Sequence, residues 1–353
     1  MKIKLAILDR DPGYLNRIVN VFSTKYADKF QLYSFTDIQV ALSTLETTKI
    51  DVLVASDAFE IDTRQLPKRC GFAYFVESPD IDTYNGQRAI CKFQKADLIY
   101  KQILSIYSEN AGNVSGVKVG DDNTKLIMFH SPSGGAGASS AAAACAIRLA
   151  SKGLRVLYLN LESFGPSDVF FDAVGQFDMS DIIFALKSKK TNLALKLESC
   201  VRQADNGVYF YAPSKIALDM TELNYEDKSR LLSELCIAGL YDYVIVDTEF
   251  SIGKEALKLY RMAARLVWVG DGSEISNGKL SRAFEALTML EQNADVTLTD
   301  RIHLIYNKFS NKTSQGLAGV DLKTIGGAPR YEHALSAQVV AQLCKMDMFD
   351  KLM

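Results

Sequence analysis

The sequence predicts an α/β protein built from two doubly wound domains, and three features predict it. Short, almost wholly apolar runs alternate with helical stripes over residues 1 to about 106. A polar, glycine-bearing stretch breaks the pattern between Ser108 and Asn123. A second series of apolar runs then opens on a glycine-rich turn between a strand and an alanine-rich helix. Apolar runs without polar alternation mark strands buried on both faces, as parallel strands are. A chain of 353 residues also exceeds what one ordinary core organises.

The first half reads in order. Lys4 to Leu8 is a buried strand. Pro12 stands where a helix can begin, and Leu15, Ile18, Val19 and Phe22 follow at helical spacing. Gln31 to Phe35 is a strand, and Ile38, Ala41, Leu42 and Leu45 make the next helical stripe. Val52 to Ala55, Phe72 to Val76 and the shorter Ala89 to Cys91 are further strands. Ile99, Ile103 and Ile106 mark the last helix. The expectation is five βα units in a first domain over residues 1–107, a linker over 108–122 and a second domain over 123–353.

In the second half Leu126 to Phe129 leads into the turn, and the helix opened by Ala141 to Ile147 stops near Gly153, a residue suited to a left-handed cap. Strands follow at Arg155 to Leu159, Val208 to Tyr211, Tyr243 to Val246, Leu266 to Val269 and Ile302 to Tyr306. Ala334 to Met353 carries Leu335, Val339, Val340 and Leu343, with Lys345 and Lys351 offset by Asp347 and Asp350. That pattern predicts a packed terminal helix, without the basic face of a membrane-surface helix, so no direct membrane anchor is expected.

Composition narrows the function. A formal charge of −2 leaves no basic footprint, so no nucleic-acid partner is expected. Six scattered cysteines without a CxxC pair, and three histidines, argue against a zinc site and for reduced thiols. With no leader and no long apolar stretch, the expected location is cytoplasmic, with recruitment to a cell pole or assembly site.

The glycine-rich turn Ser133-Gly134-Gly135-Ala136-Gly137-Ala138-Ser139-Ser140 carries the chemistry. Backbone N–H groups of such a turn converge on one concavity, and the helix that follows adds its positive end, so the loop suits phosphate. The lysine that precedes the Ser/Thr of a working phosphate loop is replaced by Ala138. Three other strands end in polar groups: Asn160 and Glu162, Asp247, and Asn307. In doubly wound sheets these ends face the ligand. Asp247 can hold the water shell of Mg²⁺ while Ser139 supplies a hydroxyl ligand, Glu162 can position a water, and Asn307 can meet an adenine edge. Taken singly, Asp247 also fits a helix cap, Asn307 a turn and Glu162 a solvated acid.

These motifs, in this order, resemble the ParA/MinD superfamily of deviant Walker ATPases, and within it the TadZ/CpaE group of pilus-assembly proteins. The run Asn160-Leu161-Glu162-Ser163-Phe164-Gly165 is similar to that group's acidic triplet and Phe-Gly turn, Tyr241 to Asp247 to its Walker B strand, and Asn307 to its strand-ending Asn. The resemblance implies a ParA/MinD-like P-loop domain behind a receiver-like, flavodoxin-like domain. It implies ATP and Mg²⁺ as ligands, Gly134 to Ser140 with Asn307 as the nucleotide contacts, a homodimer, and pilus or secretion assembly proteins as partners. The superfamily loop carries two lysines, which stand here as Ser133 and Ala138. Loss of one preorganised donor costs about 3–4 kcal/mol of transition-state stabilisation. The expectation is therefore an ATP-binding localisation factor with weak hydrolysis. The alternatives are an active partitioning-type ATPase, for which Lys254 would be the first substitute cation, and a phosphorylation-controlled signalling protein.

The first domain resembles a response-regulator receiver. That family uses an acidic pair after strand one, here Asp9 and Arg10 with Asp11 next, and an aspartate ending strand three, here Ser56 followed by Asp57. Lys92 stands near the family's lysine. Acyl-phosphate chemistry needs a carboxylate and a metal beside it, so Asp9, Asp11, Ser56 and Asp57 are expected to form a degenerate site and the domain to act in docking.

Overall fold

The computed structural model describes residues 2–111, 124–188, 191–291 and 297–353. The first sheet is formed by β1 (Ile3–Leu8), β2 (Phe30–Phe35), β3 (Val52–Ser56), β4 (Gly71–Val76), β5 (Thr83–Tyr84) and β6 (Gln87–Cys91), in the order β2-β1-β3-β4-β6-β5. All pairs are parallel except the β5–β6 hairpin. Leu5, Ile7, Val54 and Phe75 pack on one face, Ala6, Leu8, Leu53 and Tyr74 on the other. Burial on both faces is why these strands read as continuous apolar runs.

Helices α1 (Pro12–Lys25), α2 (Ile38–Thr48) and α3 (Ala96–Asn110) follow β1, β2 and β6. The expected five βα units are therefore three among the described residues. β3 leads to β4 through one tight helical turn, Thr63–Gln65. β4 leads to β6 through the hairpin, whose Asn85-Gly86 turn is left-handed at both positions, φ 48 and 72. Asn-Gly favours that turn, and neither connecting segment carries a helical apolar stripe. Helix α3 also continues past Ser108, where a linker was expected to begin. Ser108 is buried and its hydroxyl donates to the Ser105 carbonyl at 2.7 Å. The remainder of the expected linker, residues 112–122, lies outside the described residues.

The first unit also takes in Phe184–Cys200, so the two units are not continuous in sequence. The helix Leu193–Cys200 lies on α3. Lys196 donates to the Ser105 hydroxyl at 2.9 Å, and Glu198 accepts from Lys29 at 2.8 Å and from Tyr100 at 2.6 Å. A lysine stem and a paired acid along an amphipathic stripe gave no sign of which sheet they would join.

The second half begins with β7 (Lys125–His130), α4 (Ala138–Ala150), β8 (Val156–Asn160), α5 (Met179–Lys187) and α6 (Leu193–Cys200). Then come β9 (Arg202–Gln203), β10 (Tyr209–Phe210), α7 (Ala217–Thr221), α8 (Tyr225–Ala238), β11 (Tyr243–Asp247) and α9 (Lys254–Arg261). The chain ends with β12 (Arg265–Gly270), α10 (Glu274–Glu291), β13 (Ile302–Phe309), β14 (Lys323–Pro329) and α11 (Ser336–Leu343). The eight strands order as β14-β13-β12-β7-β11-β8-β10-β9, antiparallel only between β10 and β9. Helix α4 buries Ala141 to Ala146 and Leu149, and none of its residues is fully exposed. Alanine at those positions lets α4 approach the sheet closely. Behind it lies the C-terminal segment, with Val340, Leu343, Met348 and Phe349 in the same core and Asp350 paired to Arg148 at 2.8 Å. The segment packs as its sequence predicts. Among the described residues no helix is long and apolar enough to cross a membrane.

Candidate functional site

Register places the polar strand ends of the second unit together. Asp247 pairs with Phe129 on one side and Asn160 on the other, and Trp268 pairs with His130, so β7, β8, β11 and β12 end at one level. The glycine-rich turn leaves β7 at that level. Gly134, Gly135 and Gly137 have φ of 70, 65 and 90. This left-handed backbone favours glycine and turns successive N–H groups to one side. Helix α4 opens at Ala138 behind Gly137. No atom lies within 4 Å of where a Cβ would stand on Gly134 or Gly135, so the concavity is open. A Cβ on Gly137, by contrast, would overlap the Asn307 amide.

Asn307 is 1 % exposed and donates from Nδ2 to the Ala136 carbonyl at 2.9 Å, while its Oδ1 has no partner. One of its two amide hydrogens is thus committed to the loop, and its oxygen stays available to a ligand. Beside it opens a cleft of about 590 Å³, lined by Gly137, Ser140, Lys308, Arg330, Tyr331 and His333.

Asp247 is fully buried. Its Oδ2 accepts from Tyr158 at 2.7 Å and from Asn160 Nδ2 at 3.1 Å, and its Oδ1 has no partner. Asn160 also accepts from the Glu162 N–H at 2.9 Å, which fixes the turn after β8. A Cβ on Gly165 would overlap Asn160, so the Phe-Gly turn needs its glycine there. The Ser139 hydroxyl reaches Glu162 Oε2 at 3.5 Å. Burial, then the charge of Glu162, holds the Asp247 carboxyl above the usual range. Burial, then the charge of Glu249, does the same for Glu162. Lys228 donates to the Leu161 carbonyl at 2.9 Å, and burial lowers its pKa.

The residues present fit a nucleotide phosphate with a divalent cation. The concavity is open, two buried acceptors beside it are unpartnered, and the charge of Glu162 adds to burial in raising the Asp247 pKa. Bound Mg²⁺ would neutralise phosphate charge there, with Ser139 and, through water, Asp247 as its protein partners. Gly134 to Ser140 provide the N–H groups, and Asn160 and Tyr158 hold the Asp247 carboxylate in place.

Sequence reasoning did not find the cations at this loop. The ammonium groups that bond it, among the described residues, are Lys279 to the Ser133 carbonyl at 3.2 Å and Lys308 to the Gly135 carbonyl at 2.7 Å. Lys254 stands exposed at the first residue of α9. Lys308 follows Asn307 directly, a signal that was available. Lys279 lies in a different helix and carried none.

His130 ends β7 just before the loop and is fully buried, with Nδ1 3.2 Å from the Thr248 carbonyl and Nε2 unpartnered. Burial lowers its pKa from 6.5 to about 4. Between those values the unfolded chain takes up a proton that the folded chain refuses. Stability is therefore expected to fall as pH drops through that window, by about 3 kcal/mol from this group. Urea unfolding of the wild type and of His130→Gln at pH 7 and pH 4.5 checks it. An equal loss in both proteins would show that His130 is not the cause.

In the first unit Asp9 is buried and its Oδ2 lies 2.6 Å from Lys92 Nζ. The same ammonium donates to the Ser56 hydroxyl at 3.1 Å, and Ser56 donates to Asp57 Oδ1 at 3.3 Å. Asp9, Ser56, Asp57 and Lys92 are therefore one connected group. Asp11 faces elsewhere: its carboxylate accepts from the Gly13 N–H at 2.7 Å and caps α1. It does not restore the acidic pair. Arg10 turns its guanidinium over the Phe59 ring, 5.0 Å from the centroid.

The fold and these two sites define the class: a doubly wound receiver domain joined to a P-loop domain of the ParA/MinD ATPase fold. Residues 1–108 match the family described as the TadZ-like receiver domain. The second half is similar to a ParA family ATPase of Chlorobium tepidum at 22% identity and TM-score 0.51, covering 65% of this chain and 96% of that one. It is similar to the MinC:MinD cell division protein complex of Aquifex aeolicus at 16% identity and TM-score 0.51, with the same coverage. At these identities the likeness establishes the fold. No curated protein sequence matches the chain. The chain therefore carries a TadZ-like receiver domain over residues 1–108, followed by a domain of the ParA/MinD fold.

Proposed function

We propose that the protein is an ATP-binding, homodimeric assembly and localisation factor for Tad (Flp) pilus or type IV secretion-like machinery, recruited to a cell pole or assembly site in the cytoplasm, with slow hydrolysis. The observation that carries this is the open loop with three left-handed glycines, set over the unpartnered oxygens of Asp247 and Asn307. The phosphates bind the N–H groups of Gly134 to Ser140. The base enters the cleft beside Asn307, where Tyr331 and Arg330 offer stacking faces. Glu162, whose Oε2 lies 3.5 Å from the Ser139 hydroxyl, positions a water in this reading. Ser133 and Ala138 leave the loop without its own transition-state cations, which supports binding over turnover.

Mg-ATP is expected to raise the melting temperature of the full chain. A ligand at 100 times its Kd stabilises the folded state by about 2.7 kcal/mol. No shift at millimolar Mg-ATP, with a well-folded protein, ends the nucleotide reading. Phosphate release faster than about one per minute would end the slow-hydrolysis part alone, because it implies a barrier lower than the missing donors allow.

A further inference from the structure

We propose that Lys279 and Lys308 supply the positive charge toward nucleotide phosphates that the loop's own sequence lacks, an inference that rests on the nucleotide reading above. The two ammonium groups sit on the carbonyls of Ser133 and Gly135, on either side of Gly134. They arrive from separate elements, and each element is shaped to deliver them.

Lys308 belongs to β13, whose register with β14 is interrupted between Tyr306 and Phe309. A bulge re-aims side chains that would otherwise follow the strand's alternation. Within it Lys308 has φ 59, a left-handed conformation that a non-glycine residue rarely takes and that costs free energy. The result is that two consecutive residues both turn to the loop. Asn307 holds the Ala136 carbonyl and Lys308 the Gly135 carbonyl. Alternation would have sent one of them away.

Lys279 belongs to α10. Ser276, three residues earlier and therefore on the same face, donates its hydroxyl to the Ser133 hydroxyl at 3.2 Å. Ser133 further meets Ser131 at 3.1 Å, and Ser131 is tied to the Val269 carbonyl at 2.9 Å. The face that presents Lys279 is thus fixed against the start of the loop, while Leu280 anchors the helix in the core.

Both lysines are exposed. An ammonium carries three donors on a flexible stem, and the carbonyl contact uses one of them. A charge-assisted bond to phosphate is stronger than one to a neutral carbonyl, so an arriving polyphosphate recruits both groups without refolding the loop. A second, independent sign that the loop is built for a ligand is the buried, unpartnered Oδ1 of Asn307 beside them.

The test uses the full chain and isothermal titration with Mg-ATP and with AMP, on wild type, Lys279→Met, Lys308→Met and the double variant. Each single change is expected to weaken Mg-ATP binding about tenfold and the double about a hundredfold, the worth of one and two charged hydrogen bonds. The melting temperature without nucleotide should stay near wild type, Lys279→Met should leave AMP binding near wild type, Lys308→Met should weaken AMP much less than Mg-ATP, and Lys308→Arg should recover most of the loss. A double variant that binds Mg-ATP within twofold of wild type overturns the inference and leaves the nucleotide reading standing. So does an equal loss for AMP and ATP, which would make the lysines clamps of the loop and no more. Absence of binding by the wild type removes both.

Discussion

Replacing Lys92 by Met is expected to destabilise the first domain by about 3–5 kcal/mol, the usual cost of leaving a buried charge without its partner. The side chains of Lys92 and Asp9 are 9 % and 2 % exposed, so solvent screens neither, and the pair lies at 2.6 Å. Asp9 would keep only the Asp11 N–H at 3.0 Å. The Asp9→Asn, Lys92→Met double variant should regain most of the loss, because it removes both charges. Urea unfolding of the full chain followed by circular dichroism reads both domains, so the shift should appear there. Trp268 lies in the second, so its fluorescence transition should hold still. A Lys92→Met cost below about 1 kcal/mol would mean that the pair is solvated and the site is not closed. The same closure bears on signalling. Acetyl phosphate is expected to leave the mass of the wild type unchanged, because the carboxylate at β1 is held by a lysine and the residue ending β3 is Ser56. One added phosphoryl group on Asp57 would contradict this.

Gly137→Ala is expected to abolish the rise in melting temperature caused by Mg-ATP and to destabilise the second domain before any ligand is added. Two separate costs act at this position. A φ of 90 is strained for any residue with a Cβ, at about 1–2 kcal/mol. The new methyl group would also overlap the Asn307 amide, forcing that side chain off the Ala136 carbonyl that it holds at 2.9 Å. Gly134→Ala separates the two, since it has φ 70 but nothing within 4 Å of its Cβ position. It should pay the strain alone and keep a measurable, weaker response to Mg-ATP. Equal behaviour of the two variants would show that Asn307 does not shape the loop.

The strands were the most legible part of the fold, and the reason is local. β1, β3, β4, β7, β11 and β12 are buried on both faces, so each wrote an unbroken apolar run into the sequence. The glycine-rich loop was legible for a similar reason. Left-handed backbone at Gly134, Gly135 and Gly137 demands glycine, so the conformation and the residue type are one fact. The two connections read as helices, β3 to β4 and β4 to β6, were misjudged by analogy with the surrounding βα rhythm. The Asn85-Gly86 turn was a sign that a hairpin stood there. β14 escaped notice because it lies at the sheet edge with glycine at positions 326 and 327, where side chains cannot advertise burial.

By itself the sequence determined the α/β class, the buried strands, the glycine cradle and the absence of lysine from the loop. All of these depend on residues within a few positions of one another. Tertiary structure alone decided what surrounds the two sites. Lys92 meets Asp9 across 83 positions, Lys279 meets Ser133 across 146 and Lys308 meets Gly135 across 173. It also decided that α6 joins the first unit. A lysine's partner leaves no periodic trace, because its long stem can reach in any direction and its charge is equally at home in water. Only the packed sheets, by fixing where strand ends and helix faces fall, bring those charges to the carboxylate of one site and the glycine-rich loop of the other.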